Sequence, residues 1–156
     1  MTFQELGLNS DLMKAVTDLG FTSPTPIQQQ TIPLLAKQKT DLVALAQTGT
    51  GKTAAFGLPI LNNIDLNDRT VQALVLAPTR ELCVQITNDI KNYSKYLKNF
   101  GVTAIYGGAR IDGQIKDIKR GVQVVVATPG RLIDMIERRA VNLNTVRMVV
   151  LDEADE

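Results

Sequence analysis

The chain has 156 residues, 44% of them hydrophobic and 21% charged, with a formal net charge of +1. That supports one hydrophobic core rather than two ordinary domains, and it leaves any nucleic-acid surface to local placement of charge rather than to pI. One cysteine and no histidine exclude a disulfide framework, histidine-based metal sites and triads, and imidazole pH switches.

The N-terminus, Met1-Thr2-Phe3-Gln4-Glu5, lacks the basic segment and apolar core of a signal peptide. No later apolar run approaches the roughly 20 residues of a membrane span, so a cytoplasmic protein is expected. Leu8, Leu12, Val16 and Leu19 fall at spacings of 4, 4 and 3, one face of a helix. Asn9, Ser10 and Asp11 are its possible N-caps and Gly20 its stop. Pro24-Thr25-Pro26 imposes turn or extended backbone, and a second helix is predicted over 27–36, bent at Pro33.

Apolar runs then alternate with helical patterns. Residues 42–46, 73–77, 122–127 (broken by Gln123) and 148–151 are apolar without a polar face, and 102–105 is a shorter fifth candidate. Strands of that kind lie in a sheet covered by helices on both faces. Between them, Leu82, Ile86, Ile90, Tyr93 and Leu97 mark one helix, Ile111, Ile115 and Ile118 another, and Leu132, Ile133 and Ile136 a third. All these apolar residues are assigned to the core, Cys83 is a small buried filler, and 62–69 is a polar surface loop. The alternation predicts an α/β fold with a mainly parallel sheet, in which ligands gather beyond the carboxyl ends of the strands.

Function should therefore appear just after each strand. After the first comes Ala46-Gln47-Thr48-Gly49-Thr50-Gly51-Lys52-Thr53, then a helix from about Ala54. This is a phosphate-binding loop with Ala46 at the usual first glycine. Gly49 and Gly51 let backbone N–H groups approach phosphate oxygens, and the helix N-terminus adds a positive dipole end. Lys52 supplies a charge for β and γ phosphates, and Thr53 a hydroxyl for Mg²⁺. The run 148–151 leads straight into Asp152-Glu153-Ala154-Asp155. Asp152 is the candidate to hold the metal and Glu153 to orient or deprotonate the attacking water. Asp155 reads equally well as an ion-pair or cap residue.

Asp152-Glu153-Ala154-Asp155 spells DEAD, and with residues 46–53 it resembles motifs II and I of the DEAD-box RNA helicases. Further family elements follow in the expected order. Gly20-Phe21 with Pro24-Thr25-Pro26-Ile27-Gln28 resembles the Q motif, and Pro78-Thr79-Arg80-Glu81-Leu82 motif Ia. Gly107-Gly108 resembles the GG element, and Thr128-Pro129-Gly130-Arg131 motif Ib. Phe3, 17 positions before Gly20, matches the upstream aromatic. The resemblance covers essentially the whole chain.

It implies a RecA-like P-loop NTPase domain without its C-terminal strands, with ATP and Mg²⁺ as cofactors. Residues 1–30 form a helical segment with the Q motif, and 31–156 a partial ATP-binding domain. Gln28 carries the donor and acceptor that match adenine N6 and N7, with Phe3 stacking on the base and Phe21 of the Q motif among the nucleotide-binding residues. The residues Pro78, Thr79, Arg80, Gly107, Gly108, Thr128, Pro129, Gly130 and Arg131 are expected to hold a single RNA strand by its backbone, independent of sequence and sensitive to salt. Without the resemblance these would pass for ordinary strand-to-helix turns, and Arg80 and Arg131 could be structural. Arg110 matches no family element. The family's Ser-Ala-Thr motif and second RecA-like domain with its arginine fingers do not occur in the chain, so slow ATP turnover, no unwinding, and association through an open sheet edge are expected of it alone. A nucleotide-binding module without turnover and a different P-loop ATPase, such as a DNA translocase, are the competing readings.

Overall fold

The Asn9 side chain accepts the Leu12 N–H at 3.0 Å and so begins α1 (Ser10–Asp18), which buries Leu12, Ala15 and Val16. Gly20, at φ 76°, turns the chain out of it. In the computed structural model the described residues are 1–37 and 39–155. They form two compact units, 1–64 with 89–97 and 65–88 with 98–155. No described helix is long and apolar enough to cross a membrane.

In the first unit α2 (Pro26–Lys37) packs on α3 (Lys52–Asn62). Both helices contain an interior proline, which removes one N–H and leaves the carbonyl four residues earlier without its helical donor. For Pro59 that carbonyl belongs to Ala55. The Thr31 hydroxyl of α2 lies 2.8 Å from Ile27 O and 3.3 Å from Ala55 O, its single hydrogen shared between the two. Thr31 is buried, so one side chain both ties the helices together and meets the orphaned acceptor. Thr31→Val keeps the shape and removes the donor. It is expected to cost about 1–2 kcal/mol, read as a lowered urea midpoint with unchanged m-value.

Residues 42–46 do not form the predicted strand. Val43 and Leu45 are 91% and 93% exposed, and no ladder partner exists for this run among the described residues. A strand is a property of a pair: without a neighbour to take its N–H and C=O groups, an apolar run does not form one and its backbone is left to solvent.

The second unit holds a four-stranded parallel sheet of β1 (Ala73–Leu76), β2 (Val102–Ile105), β3 (Val124–Ala127) and β4 (Met148–Leu151), in the order β2-β3-β1-β4. Leu74, Ile105, Val125 and Ala127 meet α5 (Ile111–Lys119) and α6 (Pro129–Glu137) in one core cluster. On the opposite face Ala73, Val75, Val124 and Val126 are buried. There α4 (Arg80–Tyr93) brings Cys83 Sγ within 3.1 Å of Val126 O. Burial pushes the Cys83 thiol up to about 11, which keeps it inert as well as small. α4 ends at Tyr93, so Leu97 lies beyond it, in a turn closed by Leu97 N–H to Ser94 O.

Two buried glutamines set the amino ends of the strands. Gln123 accepts from Gly101 N–H and donates to Asn99 O, each at 2.8 Å. Gln72 joins Asp65, Asp68 and Arg147. The core assignment fails at the opposite margin. Val149 and Leu151 are 58% and 60% exposed, and Ile133 and Ile136 also face solvent. β4 is an edge strand whose register places Val149 and Leu151 beside Leu74 and Leu76, on the face that α5 and α6 cover only as far as β1. On α6 it is Leu132 and Met135 that point inward.

Candidate functional site

In the first unit, α3 starts at Lys52 rather than Ala54, directly from the loop. Its N-cap is Gly51 at φ 81°, with no side-chain cap and no acidic residue in the first turn. The first helical bond is Ala55 N–H to Gly51 O at 3.1 Å. The preceding N–H groups of the turn have no intrahelical acceptor, and the dipole places positive charge there. Nothing lies within 4 Å of where a Cβ on Gly49 would stand. An uncapped helix end, an open glycine and the Lys52 ammonium fit a phosphate chain, and the Thr53 hydroxyl is the candidate metal ligand of this loop. Thr50 turns its hydroxyl inward, onto Gln47 O at 2.6 Å.

The Q-motif turn is fastened to this loop. Gln28 is 3% exposed. Its Oε1 accepts Thr25 N–H at 3.0 Å, and its Nε2 donates to Gly51 O at 3.1 Å. A Cβ on Gly51 would stand 2.3 Å from that Nε2, so the close approach as well as the positive φ requires glycine there. Beside it the Thr25 hydroxyl is buried with no hydrogen-bond partner. Phe3 is buried and stacks on Phe21, with centroids 6.1 Å apart, and Phe21 in turn meets the edge of Tyr93. Of the two phenylalanines, Phe21 is the half-exposed one.

In the second unit the expected strand-end residues gather at the carboxyl ends of β1, β2 and β3. The Thr79 hydroxyl accepts Leu82 N–H at 3.2 Å and caps α4. Arg80 is half exposed, and its Nη1 would lie 2.9 Å from a Cβ on Gly108, a residue at φ 85°. Thr128 is the N-cap of α6, its hydroxyl making no cap bond, and Pro129 follows inside the helix start. Gly107, Gly108, Pro129 and Gly130 are exposed and Pro78 is half-buried. Arg131 is held from within: Nη1 donates to Gln114 Oε1 at 3.1 Å and Nη2 to Ala109 O at 3.0 Å. Gln114 was not singled out from the sequence, where it reads as one more polar position on a helix. Arg110 is exposed and pairs with Asp112.

The acidic residues follow β4. Asp152 is buried, its N–H on Leu76 O at 3.0 Å, and its Oδ1 accepts the Glu153 N–H at 3.1 Å. Glu153 is half-buried and sits at φ 51°, a left-handed conformation that costs a non-glycine residue about 1 kcal/mol or more and concentrates at functional positions. Asp155 is exposed.

A family model described as DEAD/DEAH box helicase matches residues 25–156. Among curated proteins, the ATP-dependent RNA helicase DeaD of Buchnera aphidicola is 51% identical over 156 residues, all of this chain and 26% of that protein. The ATP-dependent RNA helicase CshA of Listeria monocytogenes is 51% identical over 154 residues, 99% of this chain and 29% of that protein. The chain thus spans about a quarter of the length of these relatives. Among solved structures, a DEAD box protein from the hyperthermophile Methanococcus jannaschii superposes with a TM-score of 0.93 at 42% identity, over 99% of this chain and 42% of that one. A variant of S. cerevisiae Dbp5 bound to RNA and ADP BeF3 gives 0.88 at 35% identity, over 99% and 38%. With its phosphate-binding loop, its DEAD sequence after an edge strand and this RecA-like architecture, the chain belongs to the DEAD/DEAH box helicase family.

Proposed function

We propose that this chain is the nucleotide-binding motor part of an ATP-dependent RNA helicase. It binds ATP with Mg²⁺ through residues 46–53 and a single RNA strand through the ends of β1, β2 and β3. Residues 1–30 serve as the Q-motif segment and 31–156 as the partial ATP-binding domain. The observation that carries the reading is the fastening of Gln28 to the Gly51 carbonyl, which joins a base-reading amide to the phosphate loop in one hydrogen-bonded assembly.

Each group then has a task. Backbone N–H groups of the loop and Lys52 hold the phosphate tail. Gln28 discriminates adenine with its remaining hydrogen and lone pair. Phe3, expected to stack on the base, is buried at 3% exposure, so the half-exposed Phe21 that stacks on it flanks the base instead. When bound, the magnesium ion neutralises charge developing on the phosphate oxygens; Thr53 and Asp152 are the residues to hold it. Glu153 orients the attacking water and takes its proton. Hydrolysis is coupled to duplex opening only together with a second RecA-like domain. The chain alone binds nucleotide with little turnover, works in the cytoplasm, and self-associates through the free edge of β4. The structural neighbour solved with RNA and ADP BeF3 supports both ligand classes.

Titration of the purified protein with ATP, ADP and GTP tests this. Adenine nucleotides should bind at least about tenfold more tightly than GTP, because guanine puts an O6 acceptor where adenine has its N6 donor and leaves the buried Gln28 carbonyl oxygen without a partner. Equal affinity for GTP, or no nucleotide binding at all, would remove the reading.

A further inference from the structure

The GG turn leaves β2, an outer strand of the sheet. Beyond Ile105, whose carbonyl accepts Thr128 N–H at 2.9 Å, nothing in the ladder fixes the next residue, Tyr106. Gln114 of α5 does so instead. Its Oε1 accepts Tyr106 N–H at 3.2 Å and its Nε2 donates to Tyr106 O at 3.1 Å, so one primary amide takes both backbone groups as a neighbouring strand would. The same Oε1 accepts Arg131 Nη1 at 3.1 Å, and Arg131 Nη2 reaches Ala109 O at 3.0 Å. Residues 107–108 are therefore pinned before and after, at Tyr106 and Ala109, and the two pins are bonded to each other. Only one orientation of the amide satisfies all three contacts of Gln114; the flipped one sets N–H against N–H and oxygen against oxygen. The residue is 7% exposed, where an unmade bond costs most. Arg131 spends two of its five donors inside this clamp, while Arg80 Nη1 approaches Gly108 to within 2.9 Å of where a Cβ would stand.

We propose that Gln114 is a positioning residue of the RNA surface, acting through Tyr106 and Arg131 to hold the Gly107–Gly108 turn in the shape that receives a backbone phosphate. This rests on the reading of these strand ends as the RNA surface. Preorganised N–H groups bind an anion without first ordering a glycine turn, so the clamp contributes affinity while touching no nucleotide. Its signature separates it from a direct contact. Each phosphate neutralised by a side chain adds about 0.7 to the salt slope of single-strand binding, and Gln114 adds none.

The test is binding of labelled oligouridylate and of ADP to the purified protein over a range of salt. Gln114→Met, equal in length but without hydrogen bonds, should weaken RNA binding about tenfold, the equivalent of one lost buried bond. ADP affinity should stay within about twofold, because the hydrogen bonds of Gln114 go to Tyr106 and Arg131 and not to residues 46–53, and the salt slope should not change. Gln114→Asn keeps the amide but is too short to span both Tyr106 groups; it should give the same loss if the Met variant folds poorly. Arg80→Ala, by contrast, should lower both the affinity and the slope. If Arg80→Ala has no effect or the wild type binds no RNA, the surface itself is misassigned. If Arg80→Ala weakens binding and both Gln114 variants do not, the positioning role is overturned. Parallel loss of ADP and RNA binding would reduce Gln114 to a residue of general stability, and a lowered slope would make it a direct contact; either result also ends the proposal.

Discussion

Lys52→Ala should lower affinity for ATP and ADP by about 10- to 100-fold, the worth of a charge-assisted hydrogen bond to a phosphate, and leave affinity for AMP nearly unchanged. The split between nucleotides is what makes the test specific. Lys52 opens α3 at the end of the loop, where an ammonium group can reach β and γ phosphates but has no part in holding the base. Backbone N–H groups at the same helix end remain in the variant, so residual di- and triphosphate binding is expected rather than none. Calorimetric titration of the three nucleotides, with a melting curve to show that the variant is folded, decides it. Unchanged ATP affinity would remove the phosphate-loop assignment. An equal loss for AMP would mean that the substitution disturbs the Gln28–Gly51 junction rather than the phosphate tail.

The loop, the helix after it and the acidic strand end were legible because each is a local pattern: glycines at fixed offsets, a helical period, an apolar run ending in carboxylates. What the sequence hid is long-range and polar. Gln28 is proposed as a base-reading amide from its chemistry, but its hydrogen bond to Gly51 spans 23 residues, and no periodicity reports that. Gln72, Gln114 and Gln123 look like solvated positions or interruptions of an apolar run, yet all three are buried and each pins a turn or loop. A glutamine alone has enough donors, acceptors and length to replace a missing strand neighbour, so it can be as internal as a leucine. Composition was misleading in the other direction at residues 42–46, Val149, Leu151, Ile133 and Ile136. Apolarity there marks surface that a partner element could cover, and whether one does is a fact of topology, not of the local sequence.

Glu153→Gln should retain ATP and RNA binding and lose hydrolysis by about 10²- to 10⁴-fold, the usual contribution of a positioned general base, when the chain is joined to a second RecA-like domain so that turnover can be measured. Glutamine preserves the volume and the backbone but cannot accept the proton. The left-handed backbone at Glu153, φ 51°, adds a second arm. Glycine at this position relieves strain of about 1 kcal/mol, so Glu153→Gly should be as inactive as the Gln variant and no less stable than the parent. If the residue were a structural element of the turn after β4, the order would reverse: the Gln variant would keep its activity, and the Gly variant would change stability alone. Single-turnover release of the γ-phosphate, measured beside thermal midpoints of both variants, separates the two cases, and a near-wild-type rate for Glu153→Gln would take this carboxylate out of the chemistry. Asp152 is the necessary control. It is buried and bonded to the Glu153 N–H, so a change there alters the backbone that aims Glu153 as well as the carboxylate proposed to hold the metal. Of the two acids, only Glu153 therefore offers a substitution whose effect on the rate reads out proton transfer by itself.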